Sequence, residues 1–304
     1  MSFIPGPLRL RRENQRFFIN TNEVRGAQSV SVNYAMPTVP LKHIGQTGTH
    51  RVVDGPYGGA ASVSANLLTG DPFLKYTGEA PFNGYLFETE DGRNLNGDAV
   101  DIAFTSGFLS SYTINCAIGQ IPMLDAQIQI AGNIGKLPSG ESTSSRVSSD
   151  YAAISSTENK DFSLKIADPR SLQVSINDFE TNRLNSFNIS FEITRTPVYP
   201  IGGKMPVKCF INYPIVVTCN FQIDLDAHDL RSKSGYSHKV LRDFPCTENT
   251  ENLTLTFYDH FTESQIVQYS FTDLLLVNQN HSTNIDGNVV ANLTYQALIN
   301  KNKQ

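Results

Sequence analysis

The sequence predicts a mainly β protein of two tandem β-sandwich or β-barrel units, each with a short flanking helix. Three observations predict it. Apolar residues recur at every second position through many short segments, the period of a strand with one buried face. Asn, Ser, Thr and Ile are plentiful, Trp is absent, and the long Ala/Glu/Lys/Leu stretches that favour helices are missing. The order of strand-like segments in the first half is also met again in the second.

The repeat is read segment by segment. Ser29-Val30-Ser31-Val32-Asn33-Tyr34 aligns with Ser186-Phe187-Asn188-Ile189-Ser190-Phe191 at an offset of 157 residues. With no gap, the same offset sets Pro40 on Pro197, Leu41 on Val198, Ile44 on Ile201 and Gly45 on Gly202. Each copy therefore reads as a strand, a Pro-bearing bend, an Ile-Gly turn and a second strand (Arg51-Val52-Val53 against Lys208-Cys209-Phe210). A Pro follows, Pro56 or Pro214, and then a third alternating stretch from Ala61 to Leu67 or from Val217 to Ile223. The later halves align at 165: Ile102 with Val267, Phe104 with Tyr269, Leu109 with Leu274, Ala126 with Ala291, Ile128 with Leu293 and Ile130 with Tyr295. The change of offset implies about eight extra residues in a loop of the second copy.

Between the copies, residues 136–160 hold ten Ser or Thr in 25 positions and no apolar period, the composition of a linker or long exposed loop. The units are therefore 1–135, which includes an N-terminal arm, and 161–304. Each copy has a less strand-like segment after its third strand, residues 71–88 and 228–244. The second is expected to hold a short helix, and the first is broken by Pro72, Pro81 and Gly84. The last strand of each copy alternates apolar with polar. Such edges are ready partners for another subunit.

Composition bounds the function. At 304 residues, 39% apolar and 17% charged, the chain fills two ordinary globular domains. A net charge of −5 argues against a nucleic-acid grip, which needs clustered Lys and Arg. The N-terminal MSFIPGPLRLRRENQ lacks the apolar core of a signal peptide, and no apolar run is long enough to span a bilayer. Cys116, Cys209, Cys219 and Cys246 show neither metal spacing nor secreted-scaffold density. They are expected to be buried thiols, with a Cys209–Cys219 disulfide as the alternative. In a chain made in a reducing cytoplasm, the Asn-x-Ser/Thr matches at Asn188, Asn252, Asn280 and Asn292 are chance.

Candidate chemistry is sparse. Asp224, Asp226, His228 and Asp229 form the best metal-like cluster, but the glycine turn and terminal acid of a calcium loop are missing. The histidines His43, His50, His228, His238, His260 and His281 are scattered, and no Gly-x-Ser-x-Gly elbow occurs. The stretch from Gly132 to Lys136 has the wrong spacing for a phosphate loop, and Leu137 stands where Ser or Thr is needed. Arg9, Arg11, Arg12 and Arg16 make a basic arm that suits packing on a neighbouring subunit or entering the first strand better than binding nucleic acid. Phe187, Phe191, Phe221, Phe257, Tyr269 and Phe271 sit at strand spacing and read as core rather than a sugar platform. No catalytic, cofactor-binding or metal-ligating residue is assigned, and the expectation is a non-enzyme.

Two stretches resemble phage tail tube proteins. One is residues 184–224, LNSFNISFEITRTPVYPIGGKMPVKCFINYPIVVTCNFQID. The other is residues 107–119, GFLSSYTINCAIG, followed by Gln120-Ile121-Pro122. Tyr112 and Gly119 stand where such proteins often carry an aromatic strand residue and a glycine turn. The resemblance implies a β-sandwich or barrel whose inner sheets join around a ring into a lumen. With two domains per chain, it implies three subunits in a pseudo-hexamer. It implies a virion protein made in a bacterial host's cytoplasm. Its partners would be itself, tail proteins such as sheath, terminator or baseplate, and genomic DNA passing without specific binding. A tail-tip hub, adaptor or initiator ring is the alternative, and a carbohydrate- or receptor-binding sandwich is a further one.

Overall fold

The computed structural model describes residues 15–41, 51–56, 58–68, 70–88, 100–135, 167–176, 179–181, 184–225, 250–259, 264–282 and 289–300. They are mainly β, in antiparallel sheets. The first half forms β1 (Gln15–Ile19), β2 (Asn22–Glu23), β3 (Ala27–Ala35), β4 (Thr38–Leu41), β5 (Arg51–Asp54), β6 (Gly58–Asn66), β7 (Phe82–Glu88), β8 (Val100–Ala117), β9 (Met123–Ile130) and β10 (Ile134–Gly135). The second forms β11 (Ala167–Ile176), β12 (Phe179–Thr181), β13 (Leu184–Glu192), β14 (Arg195–Val198), β15 (Lys208–Ile211), β16 (Ile215–Leu225), β17 (Glu251–Asp259), β18 (Gln265–Ser282) and β19 (Val289–Ile299).

The pairings of β11–β19 reproduce those of β1–β9. β1 pairs with β2 and β7 as β11 does with β12 and β17. β7–β8–β9–β6–β3 is one ladder and β17–β18–β19–β16–β13 is the other. β4–β5 and β14–β15 are separate hairpins in the same register, so Thr38 and Arg195 are counterparts 157 residues apart. Register also corrects the later alignment. Leu109 faces Ile128 as Leu276 faces Tyr295, an offset of 167 rather than 165, so the net insertion is ten residues and not eight. The slip of two kept every residue on its correct face, because strand faces repeat every second residue.

β8 and β18 each cross between two sheets. β8 pairs with β7 up to Gly107 and with β9 from Gly107 onward, and β18 changes partners in the same way, from β17 to β19. The crossing carries a positive φ in both, Ser106 at 54° and Asp273 at 57°, one left-handed residue redirecting each strand. Gly84 leaves room beneath the Phe104 ring there: a Cβ on it would lie 2.1 Å from that ring's Cζ. The expected flanking helix of the first unit is only a single 3-10 turn, Leu74–Tyr76, since Pro72 and Pro81 confine it. The second expected helix, 228–244, lies outside the described residues, as does the 136–160 linker.

Alternation explains the core. On β9 and β19 every second residue is buried: Leu124, Ala126, Ile128 and Ile130, then Ala291, Leu293, Tyr295 and Ala297. These pack with Val63, Ile189, Phe221 and Phe257 in one apolar cluster that runs through both halves. Each such Leu, Ile or Phe contributes about 1.5–3 kcal/mol. Cys116, Cys209 and Cys219 are unpaired and buried, with Cys219 in this cluster and Cys209 in a small one beside Phe108. No disulfide joins Cys209 and Cys219.

Candidate functional site

The two halves meet edge to edge. β8 and β13 pair antiparallel from Ser111 opposite Glu192 to Ala117 opposite Ser186. Ile193 N–H donates to Ser110 O at 2.7 Å and Ile118 N–H to Asn185 O at 2.9 Å, extending the ladder at both ends. Eight strands thereby form one continuous sheet, in the order β3-β6-β9-β8-β13-β16-β19-β18.

Side chains reinforce this seam. Tyr112 stacks on Phe191, ring centroids 5.1 Å apart. Arg195 of β14 is buried: its Nε donates to Leu109 O (3.3 Å), its Nη2 to Gly78 O (2.8 Å), and its guanidinium lies over the Phe108 ring. Burial lowers the Arg195 pKa. A second contact joins the halves through Asp71, whose carboxylate accepts from the Tyr112 and Tyr269 hydroxyls, the latter at 2.6 Å. Burial first holds both tyrosine pKa values well above the usual phenol range; Tyr269 and then Asp71 raise Tyr112 further, while Asp71 raises Tyr269 and the bond with Tyr112 lowers it.

The outer strands of the eight-stranded sheet are β3 and the second half of β18, not the last strand of each copy as the sequence suggests: β9 lies between β6 and β8, and β19 between β16 and β18. The outer strands are the counterparts of the two strands that make the internal seam. Counterpart residues differ in exposure. Ile193 is 1% exposed in the seam, while Met36, at its place beyond β3, is 48% exposed. Phe108 is 5% exposed, while Leu275 on β18 is 45% exposed. The seam covers in one place what the outer strands leave open in another.

Among the described residues the sheet's other surface is mostly polar, and its eight strands carry no Lys or Arg on it; Val216 and Leu298 are exposed at one end, and Arg195 is buried against Phe108 at the edge. β8 contributes Ser111, Thr113 and Asn115; β13, Ser186, Asn188 and Ser190; β16, Thr218, Asn220 and Gln222; β19, Asn292, Thr294 and Gln296. Asn115, Asn188, Asn220, Thr294 and Asn278 lie side by side on successive strands. Neighbours bond to each other: Ser31 with Ser62 (2.6 Å), Ser186 with Gln222 (3.1 Å), and Thr294 with Asn220 (2.8 Å). The charges on this surface are Asp125, Glu192 and Asp224, all acidic. At the tip of the β14–β15 hairpin, Tyr199, Ile201 and Val207 are exposed, Ile201 at 108%.

The sequence candidates fall elsewhere. Asp224 accepts from Asn185 Nδ2, while Asp226, His228 and Asp229 lie outside the described residues. Among the described residues no three His, Cys, Asp or Glu converge as a metal site. Of the histidines only His281 is described; it is exposed beside Gln279. Arg16 makes a two-point ion pair with Glu23 (2.8 and 2.9 Å) and covers Phe18, so it is a packed residue; Arg9, Arg11 and Arg12 are not described. Phe187, Phe221, Phe257 and Tyr269 are buried, and a buried ring offers no face to a sugar. Gly119 takes φ 76° in the β8–β9 turn. Arg195 and Asp71 were not found from sequence, because their partners lie 117 and 198 residues away and carry no local signature.

No helix among the described residues is long and apolar enough to cross a membrane. Compared with protein-family models the chain matches none, and no curated protein matches it.

Proposed function

We propose that the chain is a phage tail tube protomer, a structural virion protein with no catalytic role. Units 1–135 and 161–304, joined through 136–160, would supply two tube domains. Three chains would close head to tail into a pseudo-hexameric ring, and rings would stack into a DNA-conducting channel. The observation that carries this reading is the β8–β13 seam. One chain already joins two repeats edge to edge, and the same two edges, β18 and β3, are left at its ends. Repeating the internal register sets Val32 opposite His281, Asn33 opposite Asn280 and Tyr34 opposite Gln279 of the next copy, a heterologous contact that would make a ring by closing through rotation.

Two further features support it. The eight strands present a mostly amide- and hydroxyl-covered surface on which, among the described residues, they carry acids and no Lys or Arg, so a polyanion gains no counterion release by touching them. Such a lining suits a channel through which DNA passes unbound. The exposed apolar hairpin tip suits contact with the next ring, which favours a stacking tube over a hub or adaptor that forms one ring. Sheath, terminator or baseplate proteins would meet the ends and the outside.

The test uses sedimentation and negative-stain imaging across a concentration series. Wild type is expected to give three-chain rings or tubes. In β13 the groups bonded to β8 fall on Asn185 and Ile193, so by strand period those of Ile189 do too, and its counterpart Val32 turns its N–H to the open edge. Val32→Pro removes that donor at an edge strand, where Pro is tolerated. It is expected to stay folded and remain monomeric. Strictly monomeric wild type at high concentration, or a Val32→Pro chain that assembles as readily as wild type, would overturn the reading.

A further inference from the structure

The internal seam and the seam between copies use equivalent strands, yet their side chains differ at the positions that hold the halves together. Resting on the ring reading above, we propose that the ring has two unequal seams in alternation, the seam between copies being the weaker.

Arg195, which donates to the main chain of Leu109 and Gly78 across the internal seam, has Thr38 as its counterpart. A threonine side chain stops several bonds short of that reach. Phe108, the ring under the guanidinium, is replaced by Leu275, which supplies no π face. Tyr112, which stacks on Phe191 and donates to Asp71, is replaced by Gln279. Tyr269, the other phenol on Asp71, has Ile102 at its place in the following copy, an alkyl group with no hydroxyl. The repeat thus keeps the backbone edge that pairs and omits the buried cation and both phenols.

Charge-assisted hydrogen bonds to buried carbonyls are among the stronger side-chain contacts. A seam lacking them relies on strand pairing and on Tyr34, Met36, Leu275 and Val277, all exposed in the single chain. Edge pairing of this extent with few anchors gives weak, reversible association.

The experiment grafts the internal seam onto the external one. Thr38→Arg with Leu275→Phe rebuilds the guanidinium and its ring at two exposed positions, and Gln279→Tyr separately rebuilds the aromatic stack against Tyr34. The readout is the protein concentration at which half the chains are in rings, measured by mass photometry and sedimentation. Each graft is expected to lower that concentration about tenfold or more, with unchanged circular dichroism. Arg195→Thr is expected to lower thermal stability while moving the ring midpoint less than twofold. If both grafts fold and neither lowers the midpoint, the unequal-seam proposal is wrong although rings form. If neither wild type nor either graft forms rings at any concentration, it is the ring reading that fails.

Discussion

The register of the proposed seam between copies can be tested through one pair of residues. Asn33 and Asn280 are the counterparts of Ser190 and Thr113, which stand opposite each other in the internal seam, and both are exposed in the single chain. Asn33→Glu with Asn280→Glu would place two carboxylates directly across the joint. Like charges on opposed strand residues cost roughly 0.5–1 kcal/mol. A three-chain ring contains three such joints, so closure loses about 1.5–3 kcal/mol, or roughly 13- to 160-fold in the ring constant. Because that constant depends on the cube of monomer concentration, the midpoint shifts by its square root, about 3.5- to 13-fold upward. Asn33→Lys with Asn280→Glu should bring the midpoint back to wild type or below, and 0.5 M salt should remove much of the difference between the two double variants. Sedimentation velocity over a dilution series reads all of these. If the Glu/Glu and Lys/Glu variants assemble with the same midpoint at low salt, Asn33 and Asn280 do not face each other and the register is wrong.

Two other outcomes follow from the polar surface and the tyrosine pair. Replacing Asn115, Asn188 and Asn220 by Lys should turn the sheet surface into a duplex-binding one, seen as a gel shift at low salt that disappears near 0.2 M, where wild type gives none; no shift would show that this surface does not set DNA indifference. The raised phenol pKa values of Tyr112 and Tyr269 mean that the folded chain holds protons the unfolded chain releases above about pH 10, so their stabilisation is complete below that pH and is lost as pH rises through the folded values. Urea unfolding from pH 8 to 11 should therefore show falling stability, with a shallower fall in Tyr112→Phe; identical slopes would remove the phenol from the account.

Much of the fold was legible because strand patterning is local. Val30 and Val32, Ala61, Val63 and Ala65, and Ile189 with Phe187 alternate in the sequence and alternate in burial. The 157-residue offset was readable through Pro40 and Pro197, which stand at the same place in matched hairpins. The later offset slipped by two because β8–β9 and β18–β19 present Ala, Ile, Leu and Tyr at every second place, and such a pattern fits nearly as well two residues away. What the structure added is all non-local. That β8 ends against β13, that Arg195 crosses to Leu109, and that Asp71 meets two tyrosines from different halves depend on where chains converge. No window of sequence contains both partners. The lack of Lys and Arg on one sheet surface was present in the composition, but it became a property of a surface only once strand order set those residues side by side.

The β8–β13 seam also limits what the chain is able to count. Two repeats are bound into one polypeptide and already paired, so repeats enter any closed ring two at a time. Rings of five or seven, the common errors when a wedge-shaped unit closes at a slightly wrong angle, would leave one repeat dangling with its edge strand unpaired. Parity is thus written into the covalent chain, and angular error has to reach a whole chain's worth before a differently sized ring becomes available.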